Sequence, residues 1–100
     1  MLQLTLLGSP SATLDGTPLT DKLLNKDLAL LYYLAATCQP QLRGSLAALL
    51  WGDYSESAAR TNLRKSLSYL RQHLGHHVII GRDDVALVQV HCMVDVWEFE

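Results

Sequence analysis

The segment ESAARTNLRKSLSYLRQHL, Glu56 to Leu74, constrains this chain more than any other. Leu63, Leu67, Leu70 and Leu74 recur at i, i+4, i+7 and i+11, a spacing that an α-helix brings onto one narrow face. Ser55 or Ser57 can cap its start, Glu56 suits the positive end of its dipole, and Gly75 stops it. The leucines are core in any reading of the segment. Arg60, Arg64 and Arg71 run along a flank of the stripe, and Thr61, Lys65, Ser68 and Gln72 continue towards the opposite side.

Charge sets this helix apart from its surroundings. It holds four Lys/Arg against one Glu, a balance of +3, whereas the other residues hold four basic and nine acidic side chains, a balance of −5. The net charge of −2 argues mildly against a nucleic-acid partner. Its placement argues the other way: a basic helix in an acidic remainder is suited to a polyanion.

Around this helix the sequence predicts one α+β domain. Leu2, Leu4 and Leu6 alternate with Gln3, Thr5 and Leu7 as a half-buried strand, ended by Gly8, Ser9 and Pro10. Ser11 to Leu14 predicts a second strand, Asp15-Gly16 a tight hairpin turn, and Thr17 to Leu19 a return strand that Pro18 confines to a sheet edge. A helix capped by Thr20 or Asp21 is expected to run to about Thr37. Its stripe is Leu24, Leu28, Leu31 and Leu34, widened by Leu23, Leu30 and Ala35, and Pro40 closes the segment. Tyr32, Tyr33 and Cys38 follow the helical pattern as packing residues. A shorter helix is expected from about Arg43 to Trp51, buried through Leu46, Leu49 and Leu50, with Trp51 beneath the next turn. After Gly75, the runs Val78 to Ile80 and Val85 to Val88 flank Gly81-Arg82-Asp83-Asp84 as a hairpin, and a further strand is expected within Gln89 to Met93.

Several classes fall away. A hydrophobic fraction of 49% with 18% charged residues belongs to a folded domain, not a disordered tail. No apolar run approaches the roughly 18–20 residues that a membrane span needs, and the N-terminus lacks the layout of a secretory signal. Cys38 and Cys92 read as two reduced thiols of a cytoplasmic protein. His73, His76, His77 and His91 read as solvated histidines, because Gly75 breaks the i, i+4 relation of His73 and His77 and no compact zinc spacing is present. There is no phosphate-cradling glycine loop, nucleophile elbow or paired carboxylates, so neither an enzyme nor a cofactor is expected.

A short helix, a loop, a long basic helix and a hairpin follow one another in the order of a winged helix-turn-helix. The phrases LTLLGSPSATLDGTPL, LRGSLAALLWGD, ARTNLRKSLSYLRQHLG and DVWEFE resemble the N-terminal DNA-binding domain of the Streptomyces antibiotic regulatory protein (SARP) family, a relative of the OmpR/PhoB-type winged helices. The resemblance spans nearly the whole chain and is most specific at LLWGD and NLRKSLSYLR. It implies a small N-terminal antiparallel sheet, three helices with the third as recognition helix, and a C-terminal β-hairpin wing over residues 1–94. Residues 95–100 would begin the linker to a following effector domain. By position, Arg60, Asn62, Arg64 and Arg71 match the family's A-R-x-N-L-R…L-R run, and Arg43 matches the Arg that opens its second helix. The resemblance further implies tandem binding to repeated half-sites, and the loop before the long helix is read either as a contact with RNA polymerase through Asp53 and Tyr54 or as a plain helix–helix connection. The chain departs from the family at Leu42, where a capping Ser is common, and at Gly44 in the same turn. Tyr69 and Gln72 stand where relatives often carry Arg, and Asp83 and Asp84 flank Arg82 at the hairpin tip.

The expected function is sequence-specific binding of double-stranded DNA by a bacterial transcriptional regulator. A groove about 12 Å wide admits one helix, and Arg can make two parallel bonds to guanine O6 and N7. Arg60, Thr61, Arg64 and Lys65 are the candidate base readers. Ser68 and Arg71 are candidate phosphate contacts, and Asn62 orders the turn. Arg43 and Arg82 are read either as phosphate contacts or as solvated surface arginines. The alternative is a protein-interaction module that keeps the fold without binding DNA, as the acidic total and acidic hairpin tip would suit.

Overall fold

The computed structural model describes residues 1–88 and 92–94 of the chain, with backbone alone for Cys92 and Met93. Strands β1 (Leu2–Thr5), β2 (Ser11–Leu14) and β3 (Thr17–Pro18) open the fold, and helices α1 (Asn25–Thr37), α2 (Arg43–Trp51) and α3 (Glu56–Leu74) follow. A two-residue strand, β4 (Gln41–Leu42), leads directly into α2. A 3₁₀ turn at Gly75–His77 then joins α3 to β5 (Val78–Ile80), β6 (Asp84–Leu87) and β7 (Cys92–Val94). The architecture is α+β, three helices with two small sheets. Among the described residues, no helix is long and apolar enough to cross a membrane.

The first sheet has the order β3-β2-β1-β7. Pairing Leu2 with Leu14 and Leu4 with Ala12 brings Leu2, Leu4 and Ala12 into the core, as the alternation requires. Asp15 and Gly16 both take positive φ at the hairpin turn, and Pro18 lies on the edge strand, as expected. The sheet is not wholly antiparallel, however. β7 returns to pair parallel with β1, matching Leu2 with Cys92 and Leu4 with Val94. No local pattern encodes that pairing, because it depends on a chain reversal around the whole helical layer. The expected strand over Gln89 to Met93 overlaps β7 at Cys92 and Met93. The rest of that stretch, and the linker reading of residues 95–100, lie outside the described residues.

The second sheet, β4-β6-β5, joins the hairpin to the start of α2. β4 pairs with β6 through Gln41–Val85 and Leu42–Asp84. α2 has no side-chain cap at Leu42, in line with the departure noted there. Its first backbone N–H, that of Arg43, instead donates to the Asp83 carbonyl at 2.9 Å. The sheet thus satisfies a donor that a capping side chain would otherwise take. On α2, Leu46 and Ala47 are buried and Leu50 is half-buried, whereas Leu49 is exposed, contrary to its expected place on the buried face. Trp51 is buried, as expected, and fills the remaining part of that face.

α1 ends at Thr37 as expected, but the structure corrects its start. It starts at Asn25, not Asp21, because residues 19–23 form a separate turn in which the Leu19 carbonyl accepts from Lys22 and Leu23. Leu24 is therefore the N-cap residue and is exposed, while Leu23 is buried. Asp27, only 3% exposed, supplies the cap: Oδ2 accepts from the Leu24 N–H at 3.0 Å, and Oδ1 accepts from Ser66 Oγ of α3 at 2.5 Å. Cys38 is not a packing residue. It is exposed at the C-cap in a left-handed conformation, its N–H donating to the Leu34 carbonyl.

α3 is the central element, packed against α1, α2 and β5. All four leucines of its stripe are buried, together with Ala59 and Ser66.

Candidate nucleic-acid interface

The ends of α3 follow from local chemistry. Ser55 Oγ accepts from the Ala58 N–H at 3.2 Å, and Gly75, at φ 52°, closes the helix with its N–H on the Arg71 carbonyl. Between these caps the helix runs about 28 Å. Its buried stripe leaves Arg60, Thr61, Arg64, Lys65, Ser68 and Arg71 exposed and Asn62 half-buried.

The exposed side chains divide between two flanks. On one flank, Arg60 and Arg64 line a cleft of about 370 Å³ with Arg43 and Gly44 at the start of α2, Leu63, and Arg82 and Asp83 at the hairpin tip. Four arginines from three elements thus line one cleft together with a single acidic residue. On another flank, Asn62 and Lys65 line a separate cleft of about 460 Å³ with Leu24, Asn25, Lys26, Asp27, Trp51, Ser66 and Tyr69. Lys65 is thus separated from the arginines with which the sequence grouped it. Ser68 and Arg71 line neither cleft.

Arg43 is neither a plain solvated arginine nor one wholly available to a ligand. Its Nε donates to the Gly81 carbonyl at 3.0 Å and its backbone N–H to Asp83, so it fastens α2 to the hairpin turn. Arg60 is held by Glu56 one turn earlier, Nη2 to Oε1 at 2.6 Å. Thr61 Oγ1 donates back to the Ser57 carbonyl at 3.1 Å. No ion pair to Arg64, Arg71, Arg82 or Lys65 is formed among the described residues. Like charges crowded in one cleft repel, and an anion entering it relieves that repulsion.

Three residues that line the clefts around α3 escaped the sequence reading. Glu56 had a signal, since a carboxylate four residues before Arg60 shares its helical face. Asp83 entered only as an acidic neighbour of Arg82. Lys26 carried no signal: it reaches the second cleft by donating Nζ to the Leu50 carbonyl at 2.5 Å, 5.9 Å from the centre of the Trp51 ring. In the loop before α3, Tyr54 is 55% exposed and lines a third cleft of about 310 Å³, with Trp51 and Arg60, in which Asp53 has no part.

Of the described histidines, His76 is exposed as expected and His77 departs from expectation. His77 is buried, not solvated, because its Nδ1–H donates to the Leu74 carbonyl at 2.7 Å and its ring stacks on His76. His91 lies outside the described residues. Among the described residues, no three His, Cys, Asp or Glu side chains group as a metal site. No protein-family model, curated protein or solved structure matches the chain.

Proposed function

We propose that this chain is a winged helix-turn-helix domain that binds double-stranded DNA sequence-specifically, as part of a cytoplasmic bacterial transcriptional regulator. The observation that carries this reading is the cleft lined by Arg43, Arg60, Arg64 and Arg82. It joins α2, α3 and the hairpin, the three elements that a winged helix brings to DNA. In this reading α3 enters the major groove by its N-terminal half. Arg60 and Arg64, with Thr61, face base edges, while Arg71, Ser68 and Arg82 approach phosphates. Arg43 sets the angle between helix α2 and the hairpin, with its Nη groups left for a phosphate. Lys65 and Asn62 lie on the flank away from the arginine cleft, so that Lys65 contributes through its charge alone and Asn62 makes no contact with DNA. The resemblance to the SARP DNA-binding domains supports activation as the outcome, with tandem copies on repeated half-sites.

The test is a titration of promoter and scrambled duplexes at several salt concentrations. The three arginine–phosphate contacts, of Arg43, Arg71 and Arg82, give a log-log salt slope of about −2.7. Arg64→Ala should cost about 1–3 kcal/mol on a preferred site and little on scrambled DNA. Equal affinity for both duplexes, or indifference to salt, would sink the reading.

A second reading, a protein-interaction surface, rests on a different observation. Leu24, Leu49, Tyr54 and Tyr69 are all exposed by more than two-fifths. Asp53 and Tyr54 would then meet RNA polymerase. Retention of a polymerase subunit by the wild-type chain, lost in Tyr54→Ala with DNA affinity unchanged, is the expected result. Retention that survives the substitution would remove Tyr54 from that role.

A further inference from the structure

The first turn of α3 presents a carboxylate where a DNA-binding helix would be expected to avoid one. Glu56 is 81% exposed and lines a trough of about 420 Å³ with Ser57, Arg60, Thr61 and Arg64. Glu56, Arg60 and Arg64 follow one another at i, i+4 and i+8, one charged row along the helix. Only Oε1 of Glu56 is used, by Arg60 Nη2. Its Oε2 accepts nothing, and Arg60 Nε and Nη1 donate to nothing, among the described residues. The pair is therefore one structural unit that offers an acceptor beside two donors.

Resting on the DNA-binding reading above, we propose that Glu56 is a base-reading residue that selects cytosine. Towards a phosphate the exposed carboxylate is only repulsive. Towards base edges in the major groove it has one suitable partner, the cytosine N4 amino group. Adenine also offers an amino group, N6, but its N7 lone pair lies alongside and opposes a carboxylate. Guanine and thymine present acceptors at the same depth. The Oε2 atom accepts from cytosine N4 while Arg60, steadied through Oε1, donates to O6 and N7 of a guanine in the same or the adjoining pair. Glu56 thereby turns a row of general cations into a reader of a cytosine–guanine feature. The carboxylate lowers affinity for every sequence and restores it only where cytosine stands.

The experiment uses the full chain, its Glu56→Gln and Glu56→Ala variants, and a randomised duplex pool, with the bound fraction sequenced. The wild type should enrich a motif with a fixed cytosine next to a guanine. In Glu56→Gln that position should change from cytosine to adenine, because a carboxamide bonds N6 and N7 together. In Glu56→Ala the preference at that one position should fall on the order of fivefold, with the guanine preference kept and affinity for unrelated duplexes raised. An unchanged motif in both variants, with only the general affinity raised, overturns the proposal and makes Glu56 a repulsive charge. If the wild type enriches no motif, DNA reading itself fails and this proposal with it. Circular dichroism of each variant distinguishes a changed preference from a changed fold.

Discussion

Two carboxylates in the first turns of two helices show how burial decides what a group can do. Asp27 in α1 is 3% exposed and fully committed, with one oxygen on the Leu24 N–H and the other on Ser66 Oγ. Glu56 in α3 is exposed and half committed, with one oxygen on Arg60. Both suit the positive end of a helix dipole. Asp27 also holds α1 to the middle of α3, so it acts inside the molecule. Glu56 holds Arg60 through one oxygen and has the other left over for a partner outside the molecule.

The largest expected effect tests the buried side of this contrast. Asp27→Ala strands the Ser66 hydroxyl and the Leu24 N–H, and should cost about 2–3 kcal/mol in urea denaturation with the m-value unchanged. A loss under about 0.5 kcal/mol, the range of ordinary surface changes, would mean that the Asp27–Ser66 bond does not join the helices. Ser66→Ala removes one partner of the two and should cost about 1–2 kcal/mol. Glu56→Ala, by contrast, should leave stability within about 0.5 kcal/mol while altering DNA preference. A stability loss as large as that of Asp27→Ala would erase the distinction.

Asp15 supplies a third carboxylate and the smallest effect. It is bonded to the N-terminal ammonium, and that hydrogen bond, followed by the ammonium's charge, lowers its pKa below the ordinary 3.8. A lowered folded pKa contributes stability above the unfolded value and loses it as pH falls through the folded one. Acid denaturation curves of wild type and Asp15→Asn should therefore coincide below that window and separate slightly above pH 4. Separation in the opposite sense would contradict the assignment.

Where the determinants are local, residue order was enough. α3 runs from Glu56 to Leu74 as expected because its cap at Ser55, its stop at Gly75 and its leucine stripe lie within the segment itself. α2 was legible in its bounds and in most of its buried face, Leu46, Leu50 and Trp51, but Leu49 lies outside that face. α1 was misplaced at its start because its cap is Asp27, a buried acid whose second partner is 39 residues away. The joining of β4 to β6 and the parallel return of β7 to β1 were illegible for the same reason. At the site, the arginines of α3 could be named from spacing alone. The meeting of Arg60 and Arg64 with Arg43 and Arg82, and the separation of Lys65 and Arg71 from that cleft, are products of tertiary packing.

The central claim is that the arginine flank of α3, and not the flank shared with Trp51, receives DNA. Amide chemical-shift mapping of the chain during titration with a short duplex tests it directly. The account predicts that the shifts cluster at Arg43, Gly44, Arg60, Thr61, Arg64 and Arg82, and that Leu24, Lys26 and Tyr69 remain still. Shifts gathered around Leu24, Lys26 and Tyr69, with the arginine cleft silent, would contradict it.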